Sequence, residues 1–300
     1  MGAKQSNPAN GSGVDPKQHQ VQQHPSVNHM LTRAAHVNPS GIATIDHFTG
    51  RQHTWKEVNE RVSRLANAFK TKYGLSEGGR IGLVSLNSDR YFEMFFAAPF
   101  AGGIIVPINI RLAPPEMVEQ FNDCAAEIIL VDDAFWQAVV PLVRTQCKSV
   151  KHIIFCGDKR PAGLNEDYES IITGTAPISE PARRGGCDTF GIFYTGGTTG
   201  KSKGVELTHS NIFINALGHV GMLDYTRDSR YLHSAPMVSA RNLDLIYFEL
   251  TDGCLNKSFT WQTALVRLES PWLVGPTSSF PSSSRTTCST PSKSIALTER

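Results

Sequence analysis

Four short apolar segments alternate with amphipathic segments between residues 80 and 156. The apolar segments are residues 80–86, 103–108, 127–131 and 152–156, and none shows the regular polar alternation of a half-exposed strand. Strands that are buried on both faces lack this alternation, and helices between such strands are typical of βαβ units. The pattern therefore predicts an α/β fold of layered, mostly parallel sheets flanked by helices.

An amphipathic helix is predicted ahead of the first of these strands. Thr54 and Glu57 have the spacing of a capping box, in which each side chain accepts from the other residue's backbone N–H. Apolar residues then recur at helical spacing as far as Phe69, and Gly74 is expected to stop the helix. Residues 94–110 are uncharged but contain two prolines, so we interpret them as a core helix leading into a buried strand.

Composition excludes several classes of protein. Apolar residues make up 40% of the 300 residues, and 29 basic against 27 acidic residues give a net charge of +2. This balance does not favour a nucleic-acid partner. The six cysteines form no C-x-x-C pair, and residues 1–30 contain no apolar signal segment. We therefore expect free thiols and a cytoplasmic location.

The amino-terminal residues 1–26 are rich in Gln, Asn, Pro and Gly, and we expect a flexible lead-in. They begin with Met-Gly and carry Ser6, which fits the pattern for N-myristoylation at Gly2 and would attach the chain to a membrane. An unmodified polar tail is the alternative that we prefer.

A glycine- and threonine-rich segment follows a predicted strand at residues 188–194. Six of the nine residues 195–203 are Gly or Thr, and two more are Lys. Glycines let backbone N–H groups approach an anion, Thr hydroxyls add donors, and lysines supply positive charge. A Walker A loop would need Gly five residues before Gly200, but Thr195 occupies that position. The segment therefore predicts a phosphate-binding loop of another kind.

Residues 194–205 (YTGGTTGKSKGV), followed by Thr208, His209 and Asn211, resemble the phosphate-binding signature of the AMP-forming acyl-CoA synthetases, the adenylate-forming superfamily. Gly196 stands where the family usually has Ser, and Ser202 where it has Pro. Further segments resemble the family in order: residues 54–69, 78–82, 87–88 and 102–112. The resemblance extends from about Val27 to Met237.

The resemblance implies the activation of a small carboxylic acid by Mg²⁺-bound ATP as an acyl-adenylate, followed by transfer to coenzyme A. It implies that the loop holds the β- and γ-phosphates of ATP, and it identifies no catalytic residue and no metal ligand. Eight residues carry this implied role: Thr195, Gly196, Gly197, Thr198, Thr199, Gly200, Lys201 and Lys203.

The family pattern stops after Met237. The family's adenine, ribose and hinge motifs and its late catalytic lysine have no match in residues 238–300, and 17 of the residues 271–300 are Ser, Thr or Pro. We expect residues 27–237 to form a partial AMP-binding domain. Residues 238–300 are expected to form an aberrant tail that arises from a shifted reading frame or an altered transcript.

Three functional interpretations remain. The chain is a truncated acid–CoA ligase, an inactive fragment that retains only the phosphate-binding loop, or one half of a split enzyme whose other half is a second polypeptide.

Overall fold

The computed structural model describes residues 24–195, 202–222, 230–233, 236–238 and 262–265, which all belong to one unit, Met1–Leu268. Its helices are α1 Val27–Val37, α2 Trp55–Thr71, α3 Asp89–Phe100, α4 Pro114–Asp123, α5 Trp136–Gln146, α6 Tyr168–Gly174 and α7 His209–Met222. Its strands are β1 Ile42–Asp46, β2 Gln52–Thr54, β3 Arg80–Val84, β4 Ile104–Pro107, β5 Ile128–Val131, β6 His152–Phe155, β7 Thr189–Thr195, β8 Lys203–Thr208, β9 Arg230–His233 and β10 Gln262–Leu265.

The strands form two sheets. The larger has the order β6-β5-β3-β4-β7-β8, in which the first five strands are parallel and β8 runs antiparallel to β7. The smaller has the order β2-β1-β10-β9, and β10 pairs in parallel with both of its neighbours. The predicted α/β architecture of mostly parallel sheets with flanking helices is confirmed.

Alternate residues of the central strands enter two separate cores. Ile128 and Leu130 of β5 pack with α1, α2, α3 and α6, whereas Ile129 and Val131 pack with α4 and α5. Because both faces of the strand are covered by helices, its sequence contains apolar residues without polar alternation. This burial is the reason why four strands could be predicted from apolar segments alone.

Helix α2 begins with the predicted capping box. The backbone N–H of Glu57 donates to Thr54 Oγ1 (3.3 Å), and the backbone N–H of Thr54 donates to Glu57 Oε2 (2.7 Å). The helix ends at Thr71, and Gly74 follows with a φ of +60°, a conformation that favours glycine. All the apolar residues predicted for its inner face are fully buried: Val58, Val62, Leu65, Ala66 and Phe69.

The five predicted strands are confirmed as β3, β4, β5, β6 and β7, with boundaries that differ by one or two residues. The elements α1, β1, β2, α6 and β8 were not predicted. Residues 94–110 contain the end of α3 and all of β4, as expected for a core helix that leads into a strand. Helix α6 lies between the predicted strands at residues 152–156 and 188–194, where we predicted no helix. Its signal was Asp167, whose side chain accepts from Ser170 N (2.9 Å) at the start of the helix.

Residues 94–110 were predicted to form a core helix and a buried strand and not a membrane span. Among the residues that the structure describes, no helix combines the length and the apolar character that crossing a bilayer requires. Gly2 lies outside the described residues.

Candidate functional site

Strands β7 and β8 form an antiparallel hairpin that encloses the glycine-rich segment. Thr195 is paired with Lys203 at the end of the ladder, and Tyr194 is paired with Gly204. The hydroxyl of Thr195 also donates to the backbone carbonyl of Lys203 (3.4 Å). Residues 196–202 connect the two strands in the sequence, and the strand residues on either side of them are paired.

The structure brings together the two described members of the predicted site. Thr195 and Lys203 are both exposed at the base of the loop. The amine of Lys203 makes no hydrogen bond or ion pair with any described residue, so its charge is free for a ligand. The other predicted site residues lie outside the described residues: Gly196, Gly197, Thr198, Thr199, Gly200 and Lys201.

Tyr194 anchors the base of the loop to the end of α4. Its hydroxyl donates to Asp123 Oδ2 (2.7 Å), and burial together with this hydrogen bond raises the pKa of Tyr194. The tyrosine therefore stays protonated and acts as a donor. No local sequence pattern indicates this contact, because Asp123 lies 71 residues earlier in the chain.

The residues after β8 cap helix α7. The backbone N–H of Asn211 donates to Thr208 Oγ1 (3.1 Å), and the backbone N–H of Thr208 donates to Asn211 Oδ1 (2.9 Å). This reciprocal pair satisfies two N–H groups at the start of the helix. The Thr-His-x-Asn part of the motif therefore has a structural role, which is to begin α7 directly after the hairpin.

His209 is fully buried beneath the hairpin. The backbone N–H of Val27 donates to its Nδ1 (3.4 Å), and the ring of Phe190 lies edge-on to it with centroids 5.7 Å apart. Burial, aided by the positive charge of Arg184, lowers the pKa of His209 to about 4. His209 is therefore a neutral, buried side chain at neutral pH.

Asn87, three residues after the end of β3, connects this part of the chain to the end of β9 and to Met237. Its amide donates to the carbonyl of His233 (3.4 Å), and its Oδ1 accepts from the backbone N–H of Met237 (2.9 Å). The next residue, Ser88, caps α3 by accepting from Tyr91 N (3.1 Å). The Asn-Ser motif that the sequence analysis singled out thus joins two distant parts of the chain.

A second group of charged side chains lies around the start of α3, and we call it the carboxylate–arginine cluster. Its members are Arg51, Arg61, Asp89, Arg90, Glu93 and Glu169. Arg61 donates to Glu93 (2.5 Å) and to Glu169 (2.8 Å), and the hydroxyl of Tyr168 donates to Glu93 (2.8 Å). Arg90 donates to Glu169 (2.9 Å) and to the carbonyl of Gly157 (2.6 Å).

Asp89 completes the carboxylate–arginine cluster at the first residue of α3. Arg51 donates to both of its oxygens (2.8 and 2.9 Å), and His53 Nε2 lies 3.4 Å from Oδ2. Burial raises the pKa of Asp89, but the hydrogen bonds from Arg51 and the nearby imidazole of His53 outweigh burial and hold this pKa well below its ordinary value. Each arginine of the cluster already has a carboxylate partner, so the cluster has a structural role and no free cation for a ligand.

No group of three or more His, Cys, Asp or Glu side chains in the described part of the chain could hold a metal ion. The buried cysteines Cys124, Cys147 and Cys156 are free thiols, as is the exposed Cys187.

The described residues define the α/β class of protein, with a mostly parallel sheet, helices on both faces and a β7–β8 hairpin at one edge. The family model for AMP-binding enzymes matches residues 31–254. The chain therefore belongs to the AMP-binding enzyme family, as the motifs implied. The match runs 17 residues beyond Met237, where our motif comparison stopped.

Curated relatives are acid–CoA ligases. The chain is 28% identical to 4-hydroxybutyrate–CoA ligase 2 of Metallosphaera sedula over 70% of this chain and 39% of that protein. It is 29% identical to the long-chain-fatty-acid–CoA ligase FadD13 of Mycobacterium tuberculosis over 76% of this chain and 44% of that protein. It is 30% identical to a feruloyl-CoA synthase of Amycolatopsis over 71% of this chain and 40% of that protein. The chain thus spans less than half the length of these relatives.

Solved structures share the fold. The inhibitor-bound N-terminal domain of FACL13 from Mycobacterium tuberculosis has a TM-score of 0.70 at 25% identity, covering 80% of this chain and 57% of that chain. The anthranilate CoA ligase AuaEII in complex with anthranoyl-AMP has a TM-score of 0.72 at 23% identity, covering 83% of this chain and 46% of that chain. The amino-terminal part of the adenylate-forming fold is therefore confirmed.

Proposed function

We propose that this chain is the amino-terminal part of an AMP-forming acid–CoA ligase, which activates a carboxylic acid as an acyl-adenylate with ATP. The observation that carries the proposal is the β7–β8 hairpin, which pairs Thr195 with Lys203 at the two ends of a loop that has the family's glycine- and threonine-rich composition. Its exposed lysine supplies positive charge where a polyphosphate would approach.

The loop's part in the reaction follows from charge. A carboxylate must attack a polyphosphate of the same sign, and pyrophosphate must leave. Backbone N–H groups of Gly196, Gly197 and Gly200, hydroxyls of Thr195, Thr198 and Thr199, and the amines of Lys201 and Lys203 would hold the β- and γ-phosphates. Donors and cations placed there offset the charge that develops on the leaving group. Mg²⁺ would arrive with ATP, and coenzyme A would be the acceptor.

The chain's short coverage of its relatives favours a second candidate. The chain spans 39–44% of these ligases, and in this second candidate it is an inactive fragment that retains only the phosphate-binding loop. A split enzyme is the related alternative, in which a second polypeptide supplies them. We propose that residues 238–300 form a tail outside the family's motif pattern; the family model matches residues 31–254, which overlaps the first 17 residues of this tail.

Two measurements on the purified 300-residue chain test these proposals. Isothermal titration calorimetry with ATP and with pyrophosphate is expected to detect binding of both, and no binding of either would overturn the proposed role of the loop. ATP–pyrophosphate exchange with a panel of fatty and aromatic acids then separates the candidates. Acid-dependent exchange by the chain alone identifies an active ligase and overturns the fragment interpretation.

Binding without exchange supports the fragment. Exchange that appears only when a carboxyl-terminal polypeptide is added supports the split enzyme.

The origin of the tail is tested separately, by resequencing the locus and by measuring the intact mass of the protein. A continuous reading frame that encodes this tail would contradict the shifted reading frame. Mass analysis also tests modification of Gly2, for which a myristoyl group adds a defined mass.

A further inference from the structure

Tyr194 is the last residue of β7 whose side chain packs against the interior of the protein. Along this strand Phe193 lies in one core, whereas Ile192 and Tyr194 pack with the core that contains α4 and α5. The next residue, Thr195, is exposed and pairs with Lys203 across the hairpin. Tyr194 is therefore the point at which the base of the glycine-rich loop is joined to the packed part of the protein.

Strand β8 depends on β7 for its position at this end of the hairpin. It is an edge strand that pairs, among the described strands, with β7 alone, and its residues 203–206 are exposed. Lys203 is placed by its pairing with Thr195 and by the hydrogen bond from the Thr195 hydroxyl to the Lys203 carbonyl (3.4 Å). A displacement of Tyr194 would therefore move Thr195 and Lys203 together.

Helix α4 holds the hydroxyl of Tyr194. This hydroxyl donates to Asp123 Oδ2 (2.7 Å) and lies 3.2 Å from the carbonyl oxygen of Gln120. The helix is itself fixed in the protein, because Val118 and Phe121 are buried in the core that it shares with α5. The hydrogen bond thus ties the end of β7 to a firmly packed helix.

Asp123 contributes little to the stability of α4. It is the last residue of the helix and it is exposed. A negative charge at the carboxyl end of a helix is opposed by the helix dipole. An exposed hydrogen bond also replaces one that each group would make with water, so its net contribution to folding is small. We therefore attribute to this contact an effect on the position of Tyr194.

Gly204 makes room for the tyrosine ring. It is paired with Tyr194 across the hairpin, and a Cβ atom at Gly204 would lie 3.3 Å from Tyr194 Cζ and 2.9 Å from Ile192 Cγ2. Both distances are shorter than ordinary van der Waals contacts, so a side chain at this position would displace one of the two residues. The glycine therefore lets the ring stay where its hydroxyl reaches α4.

We propose that Tyr194 is a positioning residue for phosphate binding, whose hydrogen bond to Asp123 holds Thr195 and Lys203 at fixed positions relative to α4. The inference rests on the proposed binding of ATP phosphates by the glycine-rich loop. Tyr194 acts through Thr195 and Lys203, so loss of its hydroxyl weakens phosphate binding although both of those residues are still present.

A double-mutant cycle on the 300-residue chain tests this role, with pyrophosphate as the probe. Tyr194→Phe removes the hydroxyl and keeps the ring, and Asp123→Ala removes the acceptor. Each variant is expected to bind pyrophosphate about fivefold more weakly in isothermal titration calorimetry. The double variant is expected to show the same loss, because all three chains lack one and the same hydrogen bond. Separate losses that multiply to about 25-fold would overturn the proposal.

Two control variants separate positioning from a general loosening of the hairpin. Asp123→Asn keeps an oxygen acceptor for the tyrosine and is expected to bind pyrophosphate within about twofold of the parent chain. Thr189→Val removes the exposed hydrogen bond from the Thr189 hydroxyl to Glu206 Oε2 (2.9 Å) at the far end of the same hairpin. Its affinity is also expected to stay within about twofold. A loss in Thr189→Val equal to that in Tyr194→Phe would contradict a specific role for Tyr194.

Hydrogen exchange of backbone amides adds a measurement without ligand. Tyr194→Phe is expected to speed exchange about threefold or more at residues 194–195 and 203–204, and to leave residues 189–192 and 205–208 unchanged. Unchanged exchange at the base of the loop would mean that the hydroxyl does not hold it, and the proposal would be wrong.

The titration also separates this inference from the proposed function. If the parent chain binds no pyrophosphate, the proposed role of the loop is wrong and the role of Tyr194 falls with it. If the parent chain binds pyrophosphate and Tyr194→Phe binds it equally well, only the role of Tyr194 is wrong.

Discussion

Two charged regions of this molecule show opposite arrangements. In the carboxylate–arginine cluster at the start of α3, Arg61 and Arg90 each contact Glu169, and Glu93 is fully buried. At the β7–β8 hairpin, Lys203 is exposed and has no described partner. The cluster contains more charged side chains than the hairpin does, but each of its arginines is paired with a carboxylate.

This difference distinguishes charged side chains that stabilise the fold from charged side chains that can bind a ligand. A cation whose donors are all taken by carboxylates stabilises packing, and a second anion could bind it only by displacing one of them. Lys203, an exposed cation at the base of the glycine-rich loop, has no such competing carboxylate among the described residues. We therefore expect substitutions in the carboxylate–arginine cluster to change stability. Substitutions at the base of the loop, where Thr195 pairs with Lys203, are expected to change nucleotide binding.

The largest expected effect comes from removing Glu93. Glu93→Ala leaves the half-buried Arg61 with Glu169 as its remaining partner and removes the acceptor of Tyr168, so we expect unfolding free energy to fall by about 3 kcal/mol or more. Glu60→Ala breaks the exposed pair with Arg64 and is expected to cost less than about 0.5 kcal/mol. Urea unfolding followed by circular dichroism measures both. Equal losses in the two variants would contradict a structural role for the buried pair.

The next effect depends on pH. His209 has a pKa of about 4 in the folded chain, below its ordinary value near 6.5, because it is buried. The unfolded chain therefore binds a proton that the folded chain does not, and stability falls as pH drops from about 6.5 toward 4. The expected slope is about 1.4 kcal/mol per pH unit at most. His209→Gln removes this titration.

The control for His209→Gln is the comparison of the two chains at pH 7.5 and at pH 5. The variant can be less stable than the parent at pH 7.5, because the packing against Phe190 changes. Its loss of stability between the two pH values is nevertheless expected to be smaller than that of the parent. An identical pH dependence in both chains would show that His209 is accessible to protons in the folded state.

The variant Lys203→Ala tests whether the exposed lysine at the base of the loop binds phosphate. We expect pyrophosphate affinity to fall about tenfold, equivalent to about 1.4 kcal/mol, because a charge-assisted contact is lost. Unfolding free energy is expected to stay within about 0.5 kcal/mol, since the side chain is exposed. Lys56→Ala is the matched control on α2. A variant that unfolds more easily but binds pyrophosphate normally would place Lys203 among the structural charges.

The sequence predicted best those elements that are mostly buried. Strands β3, β4, β5 and β6 are covered by helices on both faces, so their apolar segments stand out without any knowledge of their neighbours. Strand β8 was missed because it is an exposed edge strand with glycine and charged residues in it. Helix α6 was missed because a seven-residue helix is too short to show a clear apolar period.

The site was predictable where the motif is local and was not where partners are distant. The loop and its lysines could be named from residues 194–205, and the ladder pairs Thr195 with Lys203 as a hairpin requires. The Tyr194–Asp123 contact and the links from Asn87 to His233 and Met237 join residues 71, 146 and 150 positions apart. Only tertiary structure brings these residues together, so no local pattern could indicate them.

The smallest expected effect concerns the cap that begins α7 after the hairpin. Thr208→Ala removes the hydroxyl that accepts from Asn211 N, and we expect a loss of about 1 kcal/mol in unfolding free energy. Thr208→Ser keeps the hydroxyl and should retain most of that stability. Because Thr208 lies five residues after Lys203 along an exposed strand, neither variant is expected to weaken pyrophosphate binding. A clear loss of pyrophosphate affinity in Thr208→Ala but not in Thr208→Ser would instead mean that the helix start and the loop act as one unit.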